Sequence, residues 1–122
     1  MSQVPKTAAG FNRDFKALKK DLDGKLSYLK RIPLDTIKGY FSKTELETQT
    51  FSDILECLAS KLGSADVTWA HDFMMTLSKS FKFDMTIMFI EDEENASIRS
   101  IVSKIREVDA GKADAINEAY SD

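Results

Sequence analysis

One histidine, His71, and one cysteine, Cys57, are the only residues of their kind in the chain. A nucleophilic triad needs an imidazole beside a nucleophile and an orienting group, and structural zinc sites draw on several Cys or His ligands. His71 stands between Ala70 and Asp72 in an amphipathic stretch, and we read it as a partly exposed helical histidine. Cys57 falls beside the apolar positions Ile54 and Leu58, which suits a structural thiol rather than a nucleophile. The run Glu91 to Glu94 has the charge of a calcium loop but not its pattern. The sixth position from Asp92 is Ser97 instead of Gly, and the alternating ligands are missing. It reads as the opening of a helix, where carboxylates favour the positive end of the dipole. No glycine-rich phosphate loop occurs, and no carboxylate pair has a pattern suited to acid–base work. The expectation is a chain that is not an enzyme and carries no metal or cofactor.

A different chemistry gathers between Phe73 and Phe89. Phe73, Met74, Met75, Phe81, Phe83, Met85, Met88 and Phe89 crowd this stretch. A short helix cannot turn Phe81, Phe83, Met85, Ile87, Met88 and Phe89 all inward, because neighbouring residues point to different faces. At least half should be core. The remainder should form an exposed apolar patch, and such patches mark partner surfaces. Met suits them, because its side chain adapts. We expect Asp84 to cap this helix, Phe83 and Met88 to anchor it in the core, and Met85 to point outward.

The elements that position these residues follow from helical spacing. Phe11, Phe15, Leu18 and Leu22 lie on one face of a first helix, with Thr7 as N-cap and Asp23-Gly24 as its break. Leu26, Leu29 and Ile32 mark a second helix, stopped before Pro33. Pro33 opens a short third helix through Leu34, Ile37 and Phe41. A polar loop, Ser42 to Gln49, follows. Phe51, Ile54, Leu55, Leu58 and Leu62 are the clearest amphipathic face, with Gly63 placed for a left-handed C-cap. Ser64 or Asp66 starts a fifth helix that buries Ala70, Phe73, Met74 and Leu77. Asp92 to Glu94 open the seventh, whose core face is Ile98, Ile101, Val102, Ile105 and Val108. Asp109 to Lys112 breaks it, and Ala113, Ile116, Ala119 and Tyr120 form a frayed terminal helix. The segment from Met85 to Ile90 is the one strand-like stretch, and it has no second run to pair with.

Composition agrees. The chain has 122 residues and 13.7 kDa, one domain's worth. With 43% hydrophobic and 30% charged residues, it is too apolar for intrinsic disorder. Five Gly and two Pro are too few for the turns of an all-β fold. The prediction is an all-α, compact, irregular bundle of about seven short helices. Residues 1–7 are read as a flexible tail, 8–108 as the helical domain, and 109–122 as a tail or short helix. A net charge of −3 leaves no basic excess for phosphates, which argues against nucleic acid. One unpaired cysteine fits a reducing compartment, hence cytoplasm or nucleus. The longest apolar run, Ile87 to Ile90, is far too short to span a membrane, and no signal-peptide stretch opens the chain.

The stretch from Leu77 to Ile90, with its Leu-Ser pair and its Lys82-Phe83-Asp84-Met85 core, resembles the signature of a known domain family. This is the C-terminal domain of the RNA-polymerase-II-associated protein three family, also called the potential Monad-binding region. Tyr28 to Pro33, Phe51 to Leu55 and the aromatic helix from Phe11 to Leu18 are similar to it as well. The resemblance spans roughly Ala8 to Val108. It implies an all-α, non-catalytic co-chaperone adaptor that binds a RuvB-like AAA+ ATPase ring. Tetratricopeptide repeats elsewhere in such proteins link the ring to heat-shock chaperones for assembly of large complexes. The Monad WD-repeat protein is a further partner implied, and the isolated module is expected to be a monomer. The alternative is an axonemal dynein assembly factor using the same domain on another partner. Carried over by position, Lys82 and Met85 match the motif's ATPase-binding residues, and Phe81 and Asp84 complete the expected partner-binding set. Lys82 stands where Arg is common and offers a point charge instead of a fork. The chain itself has no tetratricopeptide repeat.

Overall fold

The computed structural model describes residues 4–121. Eight α-helices run in chain order: α1 Ala8–Ala17, α2 Leu22–Arg31, α3 Leu34–Tyr40, α4 Thr48–Lys61, α5 Val67–Leu77, α6 Phe83–Met88, α7 Asp92–Arg106 and α8 Ala110–Ala119. A single 3-10 turn, Ser64–Asp66, precedes α5. Helix accounts for 73% of the described residues, and no strand occurs among them. The segment from Met85 to Ile90 is thus helical over most of its length, as expected.

Local signals set most boundaries. The Thr7 hydroxyl accepts from the Gly10 amide at 3.1 Å and starts α1. Pro33, in extended conformation with φ −58°, ends α2 and leads into α3. At α7 a reciprocal capping box joins Glu91 and Glu94, with the Glu91 amide donating to Glu94 Oε1 at 3.2 Å. The acidic run is therefore a helix start.

Several expectations are corrected. The first break falls at Leu18–Lys20, where Lys19 takes φ 53°, and not at Asp23-Gly24. The Asp21 carboxylate accepts from the Gly24 amide at 2.9 Å, so this polar group opens α2, and Leu22 belongs to that helix. A Cβ on Gly24 would lie 2.3 Å from Asp21 Oδ2, so a larger residue there would push the Asp21 carboxylate from its present position. Gly63 is extended at φ −104° and forms no left-handed cap, because the 3-10 turn carries the chain directly into α5. Val108 is 55% exposed: α7 ends at Arg106, and Val108 lies in the turn before the Asp109 cap of α8. The terminal helix is complete from Ala110 to Ala119. The Asp109 carboxylate accepts from the Lys112 amide at 3.1 Å, which also holds that carboxyl below its ordinary range. Ala113, Ile116 and Tyr120 of the α8 region are buried in the main core. Of the expected N-terminal tail, Met1–Gln3 lie outside the described residues. Val4 packs partly buried against the core, and the Pro5 carbonyl accepts the Tyr40 hydroxyl.

Helix α4 is the hub. It packs on α1, α2 and α7, while α7 packs on α8, and α5 bridges α3 and α8. Phe51, Ile54, Leu55 and Leu58 of α4 have no exposed surface. Two aromatic clusters flank them. Phe11 sits 5.5–6.0 Å from the rings of Phe15, Tyr28, Tyr40 and Phe41. Phe51, Phe83 and Tyr120 form the second, with centroids 5.1–6.3 Å apart. Leu46, in the polar loop before α4, is 1% exposed and joins the same core.

Leu55→Ala should cost about 2–5 kcal/mol, the range for truncating a fully buried Leu. Ile116→Ala in α8 should cost a similar amount. Denaturant midpoints check both, and a loss below about half a kcal/mol for Ile116→Ala, the level of a surface change, would mean that α8 frays.

Candidate partner-binding surface

The short helix α6 is too small to hold itself in water and takes its position from its neighbours. Phe83, in its first turn, packs edge-on against Tyr120 at 5.1 Å and Phe51 at 5.9 Å. The Phe81 amide donates to the Phe41 carbonyl at 2.7 Å and ties the approach to α6 to the end of α3. Between them Lys82 adopts φ 58°. A left-handed conformation strains a residue with a side chain, and it persists here because both flanking residues are held.

This geometry sorts the side chains. Phe83, Thr86 and Ile87 face the core, at 7%, 3% and 6% exposure. Met85, Met88 and Phe89 repeat at helical spacing on the opposite side, and Phe81 precedes them. Their exposures are 43%, 67%, 65% and 41% for Met85, Met88, Phe89 and Phe81. Large apolar side chains this exposed, adjacent on one short element, make a contiguous patch. The Lys82 ammonium lies 5.2 Å from the Phe81 ring centre and supplies a cation at its edge.

All four expected partner-binding residues, Phe81, Lys82, Asp84 and Met85, are exposed on this one segment. Two roles change. Met88 is not a core anchor but the most exposed member of the patch, because the helix begins at Phe83 and the inward positions fall on Thr86 and Ile87. Asp84 is not the N-cap. Lys82 holds that position without a side-chain cap, and Asp84 sits in the first turn, where its charge favours the helix dipole. Met88 and Phe89 join the surface unforeseen. The signal was the Met85–Met88 spacing of one turn, which becomes readable once the helix start is known.

The residues that suggested other chemistry are used structurally. Cys57 is fully buried, its Sγ donating to the Leu22 carbonyl at 3.4 Å, and burial pushes the thiol up to about 12. His71 Nδ1 lies 2.9 Å from Asp72 Oδ1 on the partly exposed side of α5. Burial likewise raises Tyr28, which also donates to Asp14 at 3.1 Å, and Tyr120, whose hydroxyl donates to the Met74 carbonyl at 2.6 Å. Among the described residues no group of three or more His, Cys, Asp or Glu could hold a metal ion. No described helix is long and apolar enough to cross a membrane.

Comparison with known proteins gives two similarities. The family described as the potential Monad-binding region of RPAP3 matches residues 4–95. The NMR structure of the C-terminal domain of the human RPAP3 protein matches with a TM-score of 0.81 at 22% identity, over 98% of this chain and 90% of that one. Identity at this level shows a shared fold. No match is found among curated proteins.

The buried thiol sets a pH dependence. The unfolded thiol ionises near 9.0 and the folded one at about 12, so the folded state keeps its proton longer. Stability from Cys57 is complete below pH 9.0 and is lost as pH rises toward about 12. Denaturant midpoints should fall over that window, and Cys57→Ala should flatten the part of the slope that the buried tyrosines do not supply.

Proposed function

The chain belongs to the family of the potential Monad-binding region of RPAP3, and on that footing we propose that it is a non-enzymatic adaptor module whose α6 face docks on a RuvB-like AAA+ ATPase ring. The observation that carries the reading is the exposed apolar patch of Phe81, Met85, Met88 and Phe89, rimmed by Lys82, within the matched residues. The choice of ring rests on the resemblance of Lys82 and Met85 to the motif's ATPase-binding positions. Such a ring, engaged through other members of the machinery, would join this module to heat-shock chaperones during assembly of large complexes. The family description names Monad as a potential partner, and Monad is the competing candidate for this face. A buried, unpaired Cys57 agrees with placing the adaptor in the cytosol or nucleus.

The patch supplies the elements of an interface. Met85 offers an adaptable apolar anchor, and Phe81 and Phe89 bring rigid area. Lys82 lies at the rim, where a charge steers encounter more than it holds the complex. The backbone beneath them is already fixed by Phe83, so binding needs little ordering of the chain.

Met85→Asp should weaken binding to a purified RuvB-like ring by at least roughly thirtyfold, from about 2 kcal/mol for losing a central anchor and 1.4 kcal/mol per tenfold. Its melting should hardly move, because exposed substitutions stay within about half a kcal/mol. Lys82→Glu should weaken binding more at low salt than at high salt. Unchanged ring binding by a folded Met85→Asp protein would place the ring elsewhere. Binding to Monad that is lost by the same variant, with ring binding intact, would assign the face to Monad.

A further inference from the structure

We propose that a groove between α6, α7 and α8 binds one segment of a partner protein, apolar where it crosses α6 and α8, carrying a cationic side chain opposite Asp84 there and a carboxylate opposite Arg99 in the polar part toward α7. This rests on the reading of the chain as a protein-binding module and adds a second surface beside the α6 patch.

Two depressions meet over Ile87 and Met88. One, of about 630 Å³, lies between α6 and the end of α8 and is lined by Phe83, Asp84 and Ala119. The other, of about 340 Å³, continues toward α7, where Asn95, Arg99 and Asn117 stand beside Ile90 and Ile98 and polar surface prevails. Ile87, Met88 and Ser121 line both, so the two form one continuous groove. Each part lies within the size range of ligand-binding clefts.

The charges of its two parts are opposite, Asp84 lining the first and Arg99 the second. Among the described residues neither Asp84 nor Arg99 takes part in an ion pair, whereas the neighbouring α7 arginine, Arg106, is paired with Asp114 at 2.8 Å. A simple anion would satisfy Arg99 and leave the apolar part over Phe83, Ile87 and Met88 wet. A nucleic-acid backbone would meet repulsion at Asp84. A peptide segment with apolar residues for the part between α6 and α8 and one charge of each sign satisfies both parts together, which is the complementarity that gives interfaces their register. Met88 borders both groove and patch, so one partner could cover the two. They remain separable, because Arg99 and α8 lie beyond residue 95, where the family match ends.

The test uses three end-blocked peptides with a common Leu/Ile centre and terminal Lys/Glu, Glu/Glu or Lys/Lys residues, titrated into the methyl-labelled full chain by NMR. The mixed peptide should bind the native chain about threefold to fivefold better than either other, the range of an exposed ion pair. Arg99→Glu should shift the preference to the Lys/Lys peptide, and Asp84→Lys to the Glu/Glu peptide. Methyl shifts should fall on Ile87, Met88, Ile98 and Ala119. If Asp84→Lys disturbs the fold, Asp84→Asn should abolish the advantage of the mixed over the Glu/Glu peptide. An identical ranking for all proteins, or shifts confined to Met85 and its exposed neighbours, overturns the groove and leaves the α6 reading standing. Contacts from Asp122 to Met88 or Ile98 in the free protein, with no response to any peptide, would mean that the chain covers its own groove and also overturn the proposal. Loss of the ring reading by Met85→Asp, with the peptide ranking intact, touches only that reading.

Discussion

The edge-on packing of Phe83 against Tyr120 and Phe51 is the contact on which the exposed apolar face of α6 depends. A helix of six residues lacks the length to be stable alone. Its rotation is set by where its one aromatic anchor goes. With Phe83 inward, Thr86 and Ile87 must follow it, and Met85, Met88 and Phe89 must turn out. The apolar patch is therefore a consequence of core packing, and the surplus of large apolar residues has nowhere else to go. The left-handed Lys82 belongs to the same constraint. It lets the chain leave the Phe41 carbonyl, held by the Phe81 amide at 2.7 Å, and enter α6 with Phe83 correctly aimed.

That anchor also ties distant parts of the chain together. Tyr120 follows α8, Phe51 lies in the first turns of α4, and the Tyr120 hydroxyl reaches the Met74 carbonyl on α5 at 2.6 Å. A phenol this deeply buried needs a partner, and the carbonyl supplies one. The last helix is thus part of the support for the patch. A short helix braced from three sides presents its side chains on a backbone with little freedom left to lose, which favours binding over folding-upon-binding.

The polar groups divide by use. Glu91 and Glu94 satisfy each other's end of α7, Asp21 and Asp109 cap α2 and α8, and Cys57 fills a buried position with its thiol kept protonated. These contacts consume the residues that would otherwise suggest metal or nucleophilic chemistry. Exposed apolar surface and unpaired rim charges are left, and both are the currency of protein recognition.

Helical class, most of the core and the existence of an exposed apolar patch around Asp84 were legible in the sequence. Spacing in Phe51, Ile54, Leu55 and Leu58 names the buried face of α4 without ambiguity, because period and residue type agree over about two turns. Crowding of Phe and Met around Asp84 showed that a patch must exist, by counting side chains against faces. Tertiary structure alone decided which of them compose it. Spacing and capping chemistry pointed to a start at Asp84, the structure starts the helix after Lys82, and one residue of helical phase moves a side chain by about 100°, enough to exchange core for surface. Phase in so short a helix comes from the long-range ring contact with Tyr120, and local sequence carries no trace of that. The same holds for α8 and for Asp23-Gly24. Small and polar residues read as a break until Asp109 and Asp21 are seen accepting the amides beyond them. Whether a polar residue ends one helix or begins the next depends on where the following apolar face finds its partner.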